Sequence, residues 1–173
     1  MQIPEAILNR KSIRAFAPKG LTDEEVNTMI QSAILAPSAG NMQPWAFVAV
    51  RDKDVKEQLV EASRGQAFIA TAPVVIVVCA EPSRNSQRYG ERGRTLYCLQ
   101  DTAAAVMNIM LTATHNGLGS CWIGAFDEEM ASQALGLPNG VRPVAIIPVG
   151  YPGQDPPPRH KRPISEVLHM DRW

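Results

Sequence analysis

Eight consecutive residues, Pro73-Val74-Val75-Ile76-Val77-Val78-Cys79-Ala80, constrain this chain more than any other stretch. β-Branched side chains favour extended backbone, and a nearly all-apolar run of that length belongs to a strand covered on both faces. The remaining elements arrange themselves around it. Trp45–Val50 reads as a second strand, Ser120–Gly124 as a short one, and Arg142–Gly150 as another whose prolines limit ladder pairing. Ile3 to Leu8 is a short apolar-periodic stretch, with Pro4 suited to a first helical turn. Thr22-Asp23-Glu24-Glu25 is a capping box, after which Val26, Met29, Ile30, Ala33 and Ile34 recur at helical spacing to about Ala36. Helices are also expected over Lys53–Ala62, over Thr95–Asn116 (the longest, with Gly117 at its C-cap) and over Asp127–Leu135, closed by Gly136. Between Glu81 and Arg94 the chain turns polar, with four arginines, and reads as a surface excursion or lid.

A chain of 173 residues is one domain or one protomer of an intimate oligomer. Lys plus Arg and Asp plus Glu balance at 17 each, so no global field favours nucleic acid or an anionic membrane. Cys79, Cys98 and Cys121 are widely separated and form no CxxC pair, which argues for buried thiols in a reducing compartment over disulfides or a zinc knuckle. The three histidines show no HxxxH spacing, so no metal site is expected. The chain starts MQIPEAILNRKSIRAF, charged within ten residues, and has no uninterrupted apolar run long enough to span a bilayer; the cytoplasm is the expected compartment.

Four constellations carry possible chemistry. Arg10-Lys11-Ser12-Ile13-Arg14 is a plausible anion site, since guanidinium groups offer paired donors to phosphate; a solvated charge run is the plain alternative. Arg159-His160-Lys161-Arg162, in a tail that begins with the stiff Pro156-Pro157-Pro158, is open to the same two readings. Ser38, Asn41 and Gln43, in the segment Pro37–Trp45, present a hydroxyl and two amides able to read the edge of a planar heterocycle, or else merely cap a helix-to-strand connection. Glycines bracket the strand in Gly117–Gly124, where a ring can stack on bare backbone.

Taken in order, RKSIRAF, APSAGNMQPW, GLGSCWIG and PVGYP followed by RHKRP resemble the FMN-binding nitroreductase family in its compact form, over essentially the whole chain. The resemblance implies an α+β, three-layer α/β/α fold with a mostly antiparallel central sheet, assembled as a chain-swapped homodimer. It implies a single FMN-binding domain over 1–173, with 151–173 wrapping the partner, and one FMN in each interface pocket. Arg10, Ser12, Arg159 and Lys161 would then be phosphate and ribityl ligands, with the choice between Lys161 and Arg162 open. Lys11 stands where the family often has Arg or His. Arg14 would be the cation beside the flavin pyrimidine edge. Pro37, Ser38, Ala39, Asn41 and Gln43 would come from the partner subunit, and Ile123 and Gly124 would lie against the ring, with a backbone amide near its reactive nitrogen.

The resemblance further implies a two-electron, ping-pong reductase. NADH or NADPH would be the transient donor and a nitroaromatic, a quinone or a similar electrophile the acceptor, with the cofactor and no protein nucleophile carrying the chemistry. A non-catalytic flavin-binding protein, or a flavoprotein with another substrate, would share every motif. A Cys–His hydrolase would need a cysteine beside His115, His160 or His169, while Cys79 and Cys121 fall in expected buried strands. The GLG stretch is too short for a dinucleotide fingerprint. The basic clusters lack the aromatic platform of a nucleic-acid binder.

Overall fold

A computed structural model describes residues 2–173. Its framework is a four-stranded sheet of β1 (Trp45–Val50), β2 (Val74–Ala80), β3 (Gly119–Ser120) and β4 (Arg142–Gly150), in the order β1-β2-β4-β3 with every pair antiparallel. All seven residues of β2 are buried. Side chains alternate across a strand, so Val74, Ile76 and Val78 enter one core, and Val75, Val77 and Cys79 the other. The first core is closed by α2 (Asp23–Ile34) and α6 (Cys98–His115), the second by α3 (Lys53–Ala62), α4 (Phe68–Thr71) and α7 (Glu128–Leu135). Three layers result, as the doubly covered strand requires.

The caps follow local chemistry. Glu25 N–H donates to Thr22 Oγ1 (3.1 Å) while Thr22 N–H donates to Glu25 Oε2 (2.7 Å), closing the expected capping box. The second oxygen of Glu25 accepts from the Tyr151 hydroxyl (2.8 Å) and so pins the chain leaving β4 to the start of α2. At the far end of α6, Gly117 takes φ 73° while Leu118 N–H reaches Ala113 O and Gly117 N–H reaches Thr114 O. That pattern is a Schellman stop, and it aims the chain straight into β3.

Three expectations change or sharpen. Glu81–Arg94 is no loose excursion: it is a helix, α5 (Pro82–Arg92), broken at Gly90 (φ 54°, ψ −138°) and joined to α6 by a wide turn over Gly93–Tyr97. Its buried anchor is Asn85, whose position no apolar periodicity announces. Helix α4 also escapes a periodicity reading, being only four residues long. Finally, β4 lies inside the sheet between β2 and β3, and its prolines limit the ladder only locally. Pro143 sits beside the register shift at Val78/Cys79, and Pro148 O accepts Cys121 N–H (3.3 Å) on the β3 side. The missing N–H of Pro148 points the same way as its carbonyl, which explains why the β3 ladder lapses after Ser120. It resumes only as the Ile123–Ile146 bridge.

Candidate functional site

The N-terminal basic segment follows α1 (Glu5–Asn9) as extended chain and docks beside β3. Ser12 forms a parallel bridge with Ser120, and Ile13 N–H donates to Ser120 O (3.0 Å). In extended backbone, alternate residues share a face. Ile13 turns inward, is buried, and packs on Gly119, where any Cβ would lie 2.6 Å from Ile13 Cγ1. Lys11 shares that side and pairs with Asp155, at the mouth of a cavity of about 380 Å³ lined also by Asn9, Thr114 and Gly117.

Arg10, Ser12 and Arg14 take the other face. Burial pushes the Cys121 thiol up, and Arg14, the Ser12 hydroxyl and Arg10 pull it the other way, in that order of strength. Neither arginine pairs with a carboxylate among the described residues. Arg14 Cζ stands 5.9 Å from the centre of the Phe68 ring. Beside them the buried Ser120 Oγ has no hydrogen-bond partner. Two guanidinium groups without a carboxylate partner, the Ser12 hydroxyl and an orphaned buried oxygen form a donor set that suits a phosphate-bearing cofactor.

Along the same edge lies Ile123. Its side chain is buried in the second core, and its N–H and C=O both bond to Ile146 (2.9 and 3.0 Å), which leaves its backbone face for a stacked ring and no free N–H. Gly124 is the exposed residue; its amide has no partner among the described residues, and only Trp122 Nε1, at 3.8 Å, lies near where a Cβ would be.

The Pro37–Gln43 segment is a single tight turn (Ala39–Asn41) held in unusual backbone. Gly40, Asn41 and Gln43 all take positive φ (55°, 57° and 50°), a region that costs non-glycine residues energy. Gln43 N–H donates to Ser38 Oγ (3.0 Å) and Gln43 Nε2 to Asn41 O (3.3 Å), so those two side chains stitch the loop itself. Ala39 N–H is bound by Asp101 (3.1 Å), and the exposed Asn41 side chain is the free amide. Pro37 is exposed as well. The loop enters β1, at one edge of the sheet and the Ala80–Arg142 end; Gly119–Ser120 occupies the opposite edge and the opposite end. Those corners are about 14 Å apart across the strands and about 20 Å along them. Within one chain, then, Arg10, Ser12 and Arg14 share a segment beside β3, and the Pro37–Gln43 loop enters the sheet at the far corner.

Arg159 and Lys161 are also apart. The tail stays with the body through Gly153 N–H to Ala15 O (2.8 Å) and the Lys11–Asp155 pair. From Pro156 onward its hydrogen bonds are internal, Arg162 pairing with Glu166 (3.1 Å). Two residues tied to the site escaped the sequence reading, Asp101 and Asn85. For Asp101 a signal existed, a carboxylate on the face of α6 that buries Cys98, Thr102, Ala105 and Val106.

Comparison with known proteins identifies the family. The nitroreductase family model matches residues 7–70 and 64–151. A Thermus thermophilus protein named NADH dehydrogenase is 30% identical over 190 residues, covering 94% of this chain and 93% of its own. A Bacillus subtilis protein named FMN reductase (NADPH) is 29% identical, with 98% of this chain and 73% of its own covered. Among solved structures, the NADPH:FMN oxidoreductase from Vibrio harveyi complexed with NAD+ superposes with a TM-score of 0.89 at 27% identity, covering 98% of this chain and 76% of its own.

Proposed function

The chain belongs to the nitroreductase family, and from that premise we propose that it is an FMN-dependent NAD(P)H oxidoreductase whose site is completed by a second copy. One observation carries the reading: Arg10, Ser12 and Arg14 face one way from an extended segment beside Gly119–Gly124, with both arginines unpaired. FMN bound there would supply alternate acceptance and delivery of two electrons as hydride, the nicotinamide leaving before an electrophile such as a nitroaromatic or quinone enters. The relatives' printed names, an FMN reductase and an NADPH:FMN oxidoreductase, support that chemistry.

In this proposal Arg10 and Ser12 bind the phosphate and ribityl oxygens, and Arg14 places its charge beside the pyrimidine edge, where negative charge accumulates on reduction. Ile123 and Gly124 lie against the ring, and the Gly124 amide is the donor toward it, since the Ile123 N–H is bonded to Ile146. Lys11 acts one step removed, tethering the tail through Asp155. Pro37, Ser38, Ala39, Asn41 and Gln43 serve the partner's cofactor, because their corner of the sheet lies too far from their own Arg10. Arg159 and Lys161 reach a phosphate by the tail draping over the partner, with 1–173 a single domain.

The surface supports assembly. Ile3, Ile7 and Leu8 on and beside α1, Leu35 after α2 and Ile164, Leu168, Met170 and Trp173 in the tail are exposed large apolar side chains that a second copy would cover. No helix among the described residues is long and apolar enough to cross a membrane.

The colour of the purified protein tests the reading. A yellow solution that releases FMN on denaturation and bleaches anaerobically with NADH or NADPH is the expected result. A colourless protein that takes up no added FMN overturns it. A yellow protein that neither donor bleaches is a passive flavin binder.

A further inference from the structure

One carboxylate, hidden in an alanine-rich helix, ties two distant segments together. Asp101 lies in the first turn of α6 and is only 7% exposed. Its Oδ1 accepts the Ala39 amide (3.1 Å), and its Oδ2 accepts the Asn85 side-chain amide (2.8 Å), reaching 62 and 16 residues back along the chain. Asn85 is itself fully buried, and the backbone of Gly93 packs so closely on it that a Cβ there would lie 2.4 Å from Asn85 O. A charge withdrawn from water is retained only where charge-assisted bonds offset its desolvation. One bond of Asp101 ends in the Pro37–Gln43 loop, which in the proposed function serves the partner's cofactor, and the other in α5, which packs on that loop. The same two segments meet again at the surface, where a Cβ on Gly40 would lie 2.5 Å from the Tyr89 hydroxyl and 2.8 Å from Arg88 Nη1.

We propose that Asp101 is a positioning residue that locks the Pro37–Gln43 loop and helix α5 into one unit, so that cofactor binding and the ordering of α5 are coupled. The proposal rests on the flavoprotein reading above. The loop needs such a clamp, because Asn41 and Gln43 hold left-handed backbone that relaxes once the Ala39 amide is released. Helix α5 needs it too, because Gly90 breaks the helix and Asn85 is its one buried side chain.

Asp101→Asn keeps the shape and removes one of two acceptors: a single amide oxygen serves Ala39 or Asn85, while its NH₂ confronts the other donor. In apoprotein titrated with FMN, affinity is expected to fall by about 10-fold or more, with faster amide exchange in both the loop and residues 82–92. A purely structural Asp101 would lower Tm while folded protein bound FMN normally, and that outcome overturns the proposal. Should Asp101→Asn not fold, Asn85→Ala removes only the α5 arm, and unchanged exchange together with unchanged FMN affinity refutes the coupling. A wild-type protein that takes up no FMN defeats the flavoprotein reading itself, before any variant is made.

Discussion

Replacing Gly119 by alanine tests whether the Arg10–Arg14 segment is held where cofactor binding requires it. Gly119 does not use positive φ, so alanine carries no backbone penalty and the effect is one of contact alone. The added Cβ would stand 2.6 Å from Ile13 Cγ1 and 2.8 Å from both Ile13 Cβ and Cγ2. Carbon atoms settle at roughly 3.5–4.0 Å, so the segment must retreat by about 1 Å. Turning χ1 brings no relief, because Ile13 Cβ is itself one of the crowded atoms and a β-branched side chain is stiff there. Retreat stretches the Ile13 N–H to Ser120 O bond from 3.0 Å to about 4 Å, out of hydrogen-bond range. Overpacking costs about 1–3 kcal/mol and the lost bond about 1 kcal/mol, together about 2–4 kcal/mol. For a chain of this size that lowers Tm by about 4–16 °C, measurable by calorimetry on the apoprotein. Arg10, Ser12 and Arg14 ride on the same backbone, so FMN affinity falls by about 10-fold in the same variant. A Tm within about 2 °C of wild type, with FMN binding unchanged, would refute the reasoning.

Three further expectations follow from other parts of the molecule. Gly124→Ala meets only an ordinary contact with Trp122, so stability stays within about 0.5 kcal/mol; the methyl nevertheless weakens FMN binding, and unchanged affinity would remove Gly124 from the site. Burial pushes the Cys79 thiol up from 9.0 to about 12 and raises Cys98 and Cys121 as well. The native protein should therefore resist iodoacetamide at neutral pH; the thiols' contribution to stability is kept below pH 9.0 and lost as pH climbs toward about 12, where the unfolded chain ionises first. Ready native labelling of Cys79 would contradict this. Arg88 and Arg92 pair with no carboxylate among the described residues, and their Cζ atoms stand 5.5 and 5.3 Å from the Tyr89 and Tyr97 ring centres. Changing both to alanine should raise the KM for NADPH or for an anionic acceptor at least about fivefold; Michaelis constants that do not move would sever α5 from substrate choice.

Elements whose cause is local were readable from residues alone. The capping box at Thr22, the left-handed stop at Gly136 and the apolar run of β2 each state their structure within a few residues, and β1 and α3 match their expected bounds. What escaped was set by partners far along the chain. Helix α5 has no apolar stripe, and Asn85 is buried there because Asp101 waits for it. The motif alone does not show that the extended backbone turns Lys11 toward Asp155. Nor does it show that the Ile123 N–H is bonded to Ile146 while the Gly124 N–H is left without a partner among the described residues. The motifs located the segments of the site; which side of each segment faces the ligand required the fold.

The strand order β1-β2-β4-β3 has a consequence for mass action. With the Pro37–Gln43 loop and the Arg10–Arg14 segment at opposite corners of one sheet, the proposed two-chain site would belong to no isolated chain, and cofactor uptake would be thermodynamically linked to association. Flavin retention should then depend on protein concentration: dilution drives dissociation and cofactor loss together, while excess FMN holds the subunits together by the same free energy.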